Sequence, residues 1–482
     1  MIAKMIKDPI HGFIDFEGQF ENDLREVLGD PFFQRLRKVK QLGFSDHIFP
    51  SATHTRFAHS LGVYCVARRM LGVIETPDDN GNWSYKGKAC LAAALLHDIG
   101  HGMFSHAFEN AMTFFIEGSD IDEDKKRALG NAVDHEKVSE RIILETSIAD
   151  QLKKIGGAEF PETVAAMIAK TDPNCIYTSI VSSQLDADRL DYMKRDPYFA
   201  GVSSGSVDLD WIIRNLKISE NGAYFYFDSK AYISMEQFSV TLFQLYPTIY
   251  LHKKTRALEI MFSQMLAQVF SLISQAKHLD AGLNEDHPFV RFYLDPSDLS
   301  ASVLLDDTVL WGSMYLLRNA KDEIVSNLAA RISNRKIFSM LDVWKIADEI
   351  FSQLNLGKNL SASQRVKLLN HVCPKVIQTI KEEGLNWHST FHYDNYSRQV
   401  YKPQGKRGGD PQQINIMLGN ECVDIFEMSP LVSSSASFHI HRIYYDESVF
   451  HDISGLEQRL RACLREQISR DSTLLDEVLE NH

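Results

Sequence analysis

Leu91-Ala92-Ala93-Ala94-Leu95-Leu96-His97-Asp98-Ile99-Gly100-His101-Gly102 decides the reading of this chain. A run that is apolar on every side reads as a helix buried all round. It breaks off at an adjacent imidazole and carboxylate, and Gly100 then stops the helix. A buried helix therefore aims two metal-ligating groups at one point. Histidine is concentrated around this stretch: His54, Arg56 and His59 precede it, and His101 and His106 follow. Mixed imidazole and carboxylate ligation needs groups drawn from separate helices. The missing carboxylate is expected in Asp186-Ala187-Asp188-Arg189-Leu190-Asp191-Tyr192-Met193-Lys194-Arg195-Asp196, where Asp188, Tyr192 and Asp196 recur every four residues along one helix face.

Around this centre the chain is helical to about residue 385, as in Phe57, Leu61, Tyr64 and Cys65. Gly222 to Phe227 suggests a short hairpin, and Tyr232 to Ala276 a helical stretch interrupted at Pro247. Beyond Thr390, Ile414 to Met417, Val423 to Phe426 and Phe438 to Tyr444 read as strands, and Gly455 to Glu480 as a charged helix. The expected fold is mainly α with a small C-terminal α+β appendage, divided into residues 1–285, 286–385 and 386–482. Gly118 to Asn131 and Gln404 to Pro411 read as polar surface excursions.

With 482 residues, 44% hydrophobic and 24% charged, the chain can bury a large core, which excludes disorder as its main state. Lys and Arg number 51 against 64 Asp and Glu, a formal charge of -13, so a surface that coats nucleic acid non-specifically is excluded. Neither a leader nor a run near the ~20 apolar residues of a membrane span is read, and a cytoplasmic protein is expected. The six cysteines lie far apart and read as reduced core residues.

Seven blocks together resemble one family: Asp8-Pro9-Ile10-His11-Gly12, Phe33-Gln34-Arg35-Leu36-Arg37, Lys40-Gln41-Leu42-Gly43, His54 to Val63, His97 to Gly102, Phe104-Ser105-His106 and Asp188 to Tyr192. They match the HD-domain phosphohydrolases, and more narrowly the deoxynucleoside triphosphate triphosphohydrolase branch that includes a vertebrate enzyme with a sterile-alpha-motif domain. The resemblance is dense from residue 4 to about 270, so that extra domain is not expected. It implies a helical HD fold with His59, His97, Asp98 and Asp188 holding one divalent metal. Two imidazoles and two carboxylates suit Mn, Fe, Co, Ni or Zn, with Mg accompanying the nucleotide as a further option.

The resemblance further implies that His101, His106, Glu109 and His135 polarise the nucleophile and protonate the leaving oxygen. Gln41, Tyr192 and Asp196 would hold the deoxyribose, and Arg56, Arg189 and Lys253 or Lys254 the phosphates. Lys4, Gln34, Arg37 and Arg335 match positions that bind an activating nucleotide between subunits, which implies a homodimer or tetramer. Two positions depart from the pattern: Thr248 and Gly29 replace an arginine and an aspartate, and Asp30 follows Gly29. The implied reaction is hydrolysis of deoxynucleoside triphosphates to deoxynucleoside and tripolyphosphate, by attack of a metal-activated water on the α-phosphorus. Two other readings stay open. One is a phosphodiesterase or nuclease acting on single-stranded nucleic acid, with Gly405-Lys406-Arg407-Gly408-Gly409 at its backbone, or on a signalling nucleotide. The other is a nucleotide sensor without turnover.

Overall fold

A computed structural model of the protein describes residues 4–203, 207–354, 362–382, 391–403, 408–435 and 437–479. Helix makes up 63% of the chain, which fixes the class as mainly α. Among the described residues, nine short strands form three small sheets. Strands β1 (Lys4–Asp8) and β2 (Gly12–Phe16) pair antiparallel across the Asp8-Pro9-Ile10-His11 turn. Strands β3 (Lys217–Ile218) and β4 (Phe225–Asp228) make the expected hairpin. Parallel to β4 runs β7 (Asn415–Leu418), itself paired with β8 (Glu421–Asp424). The third sheet places β9 (Ser437–Tyr445) between β5 (Ser339–Asp342) and β6 (Phe391–Gln399).

Three hydrophobic clusters hold these elements. The first surrounds the helix Tyr85–Leu96, in which every residue from Ala89 to Leu96 is fully buried, as its all-round apolarity requires. Packed on it are the helices Arg56–Ile74, Phe160–Ile168 and Ile176–Val181. The ends of the site helices are fixed by capping: Thr55 accepts from the Ala58 amide, and Asp186 from the Arg189 amide. The second cluster has the helix Lys253–Ser274 as its axis, against His106–Gly118 and Glu323–Ser333. The third joins the helices Val343–Gln353, Ala362–Glu382 and Ile453–Leu479 to the β5-β9-β6 sheet. Val400, Tyr401, Ile414 and Ile416 join the first cluster, and Tyr444 the second.

Several expectations need correction. The helix Lys253–Ser274 is long and apolar enough to cross a membrane by length and composition, although no such run was read. Its apolarity is spent inside the second core, where Ala257, Leu258, Met261 and Phe262 are buried. Gly118 to Asn131 is no simple excursion, since Glu123–Val133 is helical, capped by Asp122 and anchored by buried Leu129 and Ala132. Strands β1, β2, β5 and β6 were not expected. At Pro247, which lacks an N–H, the chain widens into a π-helical turn over Tyr246–Tyr250. Gln404, Gly405, Lys406 and Arg407 of the second excursion lie outside the described residues. All six cysteines are free.

Candidate metal centre and active site

His59 and Asp188 stand in the first turns of the helices Arg56–Ile74 and Ala187–Ala200, while His97 and Asp98 follow the helix Tyr85–Leu96. Their convergence depends on Gly100. A Cβ there would lie 2.2 Å from the His135 carbonyl oxygen and 2.4 Å from the Ser139 nitrogen, so only glycine lets the His135–Glu145 helix touch the turn. The Gly100 amide then donates to Ser139 Oγ at 2.9 Å, and Arg35 donates to the Ile99 carbonyl at 2.8 Å.

Ligand atoms of His59, His97 and Asp98 lie within 4.8 Å of one another. Asp188 Oδ1 is 2.9 Å from His59 Nε2 and 3.8 Å from His97 Nε2. His97 Nδ1 donates to the Ala94 carbonyl at 3.0 Å, which leaves its buried Nε2 without a hydrogen-bond partner. His59 Nδ1 is held by Asp191 Oδ2 at 2.7 Å. Both imidazoles thus turn Nε2 toward the carboxylates, the tautomeric arrangement of a metal-binding histidine. Burial alone would lower the His59 pKa, but the hydrogen bonds to Asp188 and Asp191 outweigh it and raise it to about 10. A proton therefore sits where an ion would neutralise the same carboxylates. An orphaned Nε2 and a two-imidazole, two-carboxylate donor set fit a divalent transition ion.

Beside this centre, His101, His106, Glu109 and His135 bring their donor atoms within 4.8 Å of one another. Glu109 joins the group, with Oε2 2.9 Å from His106 Nδ1 and Oε1 2.6 Å from His135 Nδ1. The His101 and His135 rings stack at 3.9 Å, and His101 Nε2 is 3.3 Å from Asp98 Oδ1. These imidazoles differ in character. Burial, then Arg56 and His135, hold His101 well below the usual histidine range. Burial also opposes charge on His135, but Glu109 outweighs it and raises the pKa. Burial would raise Glu109, yet its bonds to His106 and His135 depress it strongly. The neutral His101 connects the metal centre to a Glu109-held pair, of which His106 is 66% exposed and open to a ligand.

Arg56 is buried, and its guanidinium donates to Asp98 Oδ2 and, at 2.7 Å, to Ser105 Oγ. The expected reach to a phosphate therefore starts from a carboxylate of the centre. Ser105 and Phe104 have φ values of 56° and 50°, a strained turn clamped by Asp307, whose two oxygens accept from the Phe104 amide at 2.7 Å and the Lys40 amide at 3.0 Å. Tyr192 and Asp196 lie on the helix face below Asp188. Asp196 accepts from Tyr250 Oη at 2.9 Å and pairs with His54 Nε2 at 2.8 Å, and the Tyr250 ring stands perpendicular to Tyr192 at 6.0 Å. Gln41 Oε1 is buried without a partner, and the Gln41 amide donates to the His54 carbonyl. Arg189 pairs with Asp186 at 3.2 Å. Lys253 is exposed at the start of its helix.

Of the residues matched to the activating-nucleotide site, Arg37 stacks 3.6 Å above the Phe57 ring and donates to Gln34 Oε1 at 2.9 Å. Arg335 donates to the His47 carbonyl at 2.9 Å. Lys4 opens β1, and its side chain lies outside the described structure. Asp30 caps the helix Pro31–Gln34, and its Oδ2 accepts from Ser147 at 2.6 Å and Gln151 at 2.7 Å.

A buried network behind the metal centre was not anticipated. Asp191 takes His59 on one oxygen and, at 2.6 Å, His11 on the other, while Arg195 donates to both oxygens at 2.8 and 3.0 Å. Arg195 also grips Asp8 at 2.9 Å. Asp8 and His11 lie in the first block that carries the family resemblance, but nothing local there points to a partner 180 residues away.

The HD-domain family model matches residues 56–193, which contain both His clusters and Asp188. The chain is 34% identical over 351 residues to the uncharacterized protein YwfO of Bacillus subtilis, covering 70% of this chain and 72% of that one. It is 26% identical over 285 residues to the deoxynucleoside triphosphate triphosphohydrolase SAMHD1 of Gallus gallus, over 55% of this chain and 45% of that protein. A phosphohydrolase of Bacteroides thetaiotaomicron superposes with a TM-score of 0.66 at 25% identity, over 92% of this chain and all of that one. The chain belongs to the HD-domain phosphohydrolases. It is a hydrolase of a metal-binding class.

Proposed function

We propose that the protein hydrolyses deoxynucleoside triphosphates to deoxynucleoside and tripolyphosphate. The observation that carries this reading is the joining of Asp196 to Tyr250 and His54 beside Tyr192, one and two helical turns from Asp188. An aromatic ring and a carboxylate so arranged would seat a sugar beside a centre that would take its phosphates. The relation to SAMHD1, named for this activity, supports it. His59, His97, Asp98 and Asp188 would hold the ion. A divalent ion there supplies a Lewis acid for the α-phosphoryl oxygens and lowers the pKa of water. The oxygen of water forms a bond to the α-phosphorus and gives up a proton, the bond from phosphorus to O5′ breaks with its electron pair going to O5′, and O5′ takes a proton. The exposed His106, held by Glu109, would deliver that proton, and His101 and His135 would complete the relay. Gln41, Tyr192 and Asp196 would seat the deoxyribose, with Arg56, Arg189 and Lys253 toward the phosphates.

Anion-exchange analysis of products from each deoxynucleoside triphosphate and from a single-stranded oligonucleotide tests the reading. Tripolyphosphate with free deoxynucleoside is expected, and Tyr192→Ala should raise KM and relax rejection of ATP. Mononucleotides from the oligonucleotide alone would make the protein a nuclease, and no product from either would make it a sensor.

A further inference from the structure

Ser105 stands immediately before the helix His106–Gly118 with φ 56° and ψ −125°. That region of backbone space is open to glycine and strained for any residue with a Cβ. Phe104, at φ 50°, also lies on the positive side. Neighbours so placed persist only where the surrounding structure over-determines them. A glycine at Ser105 would remove the strain there, so the serine has to be explained by its side chain.

The restraint comes from a segment some 203 residues further along the chain. The Leu305 carbonyl accepts from the Met103 amide at 2.8 Å. Asp307 accepts from the Phe104 amide at 2.7 Å and, through its other oxygen, from the Lys40 amide at 3.0 Å. The Phe104 ring stacks on Phe44 with 4.1 Å between centres, and Phe262 and Trp311 close around it at 5.4 and 6.0 Å. Backbone and side chain of the turn are thus held from independent directions.

What the turn presents is the Ser105 hydroxyl. It is buried, accepts from Arg56 Nε at 2.7 Å and turns its own proton to the Lys40 carbonyl at 3.4 Å. Arg56 Nη1 donates to Asp98 Oδ2. A hydroxyl on one side and a carboxylate of the metal centre on the other therefore hold two nitrogens of a planar fork, and this fixes the direction of the third. Glycine would relax the turn and lose that hold.

We infer that Ser105 is a positioning residue that aims the Arg56 guanidinium into the active site, and that Asp307 keeps it in the conformation this requires. Ser105 acts through Arg56 alone. The inference rests on the reading above in giving Arg56 a phosphate to meet. A guanidinium out of line fails most where charge develops on the phosphoryl oxygens, so kcat should fall by about 10²-fold with a smaller change in KM.

The test uses the full chain with Mn²⁺, each deoxynucleoside triphosphate and, as a probe that carries no sugar, the chromogenic diester bis(4-nitrophenyl) phosphate. Ser105→Gly and Ser105→Ala both remove the hydroxyl, yet only glycine suits the turn. Both should lose kcat to the same extent with metal content unchanged, while chemical denaturation finds the alanine variant less stable than the glycine variant. In an Arg56→Ala background Ser105→Gly should cost no further rate. Asp307→Asn accepts through one oxygen only and should lower kcat in the same direction. Parent-like kcat in Ser105→Gly overturns the inference, as does a loss of rate that follows stability or metal content across the variants, or one that adds fully to that of Arg56→Ala. Parent-like kcat in Asp307→Asn overturns the part given to Asp307. A parent that cleaves the diester and no deoxynucleoside triphosphate sinks the triphosphate reading, and the same comparisons on the diester then decide the role of Ser105. A parent that cleaves neither overturns both.

Discussion

Asp191 and His59 share a 2.7 Å hydrogen bond between two side chains that no solvent reaches. Asp191 is no ligand in the proposed site, yet it fixes which His59 nitrogen faces the metal centre. Burial would raise its pKa, but Arg195 first, then His11 and His59, hold its carboxyl well below the usual range. It is a permanent anion with three donors around it, and through Arg195 it ties the metal centre to Asp8 at the end of β1.

Asp191→Asn keeps the volume and removes the charge. The His59 tautomer is then no longer enforced, and metal affinity should fall ~10–100-fold, the usual cost of losing such an outer partner. Metal content after dialysis against graded chelator, read by plasma mass spectrometry, checks this. Parent-like retention would show that Asp191 serves folding alone.

The same carboxylate explains an unusual demand on the helix Arg56–Ile74. A Cβ at Gly62 would lie 1.9 Å from Asp191 Oδ1 and 2.4 Å from Arg195 Nη2, whereas one at Gly72 meets nothing within 4 Å. Gly62→Ala should destabilise by about 1–3 kcal/mol or more through overpacking, and Gly72→Ala should stabilise by up to about 1 kcal/mol through helix propensity. Chemical denaturation of the two variants gives opposite signs if the helix is placed correctly.

Glu109 holds His106 and His135 through separate oxygens. Glu109→Gln preserves the shape, but its amide can accept through one oxygen only. If the pair relays a proton, kcat should fall by about 10²–10⁴-fold with metal content unchanged. A variant that loses metal in step with activity would place Glu109 in the metal centre's support instead of in the relay.

What the sequence disclosed and what it withheld divide along physical lines. His97-Asp98 was legible because an apolar run ending in two ligands is a local pattern, and Asp188, Tyr192 and Asp196 because a four-residue recurrence is local too. The Asp191 network was not, since it closes between Asp8, His11 and Arg195 across about 180 residues. Strand β6, His-Tyr-Asp-Asn-Tyr-Ser-Arg within Phe391–Gln399, has too few apolar residues to show a period, because its face meets the Arg256 guanidinium. The helix Glu123–Val133 was hidden for the same reason, with Leu129 and Ala132 its only buried residues. Gly100 was read as a helix stop, although the close approach of the His135–Glu145 helix is what excludes any side chain there.

Acid should unfold the protein partly through its third core. His441 is 2% exposed, with Nδ1 2.6 Å from Tyr393 Oη and Nε2 2.8 Å from Asn370 Oδ1, and Trp344 stacks on its ring at 5.7 Å. Burial, with His439 adding to it and Asp394 opposing, lowers its pKa from 6.5 to about 4. The unfolded chain therefore binds the extra proton first. Stability is fully present above about pH 6.5 and is lost as pH falls through the window down to about 4, by an order of 3 kcal/mol for this group. His287, also lowered to about 4 by burial, adds to the same limb. His441→Gln should lower stability at pH 8 yet flatten its decline between pH 6.5 and 4, leaving the slope due to His287 and the other histidines that burial lowers, His101 among them. Melting temperatures of parent and variant across that range decide it: parallel acid limbs would mean that His441 keeps its ordinary pKa in the folded chain.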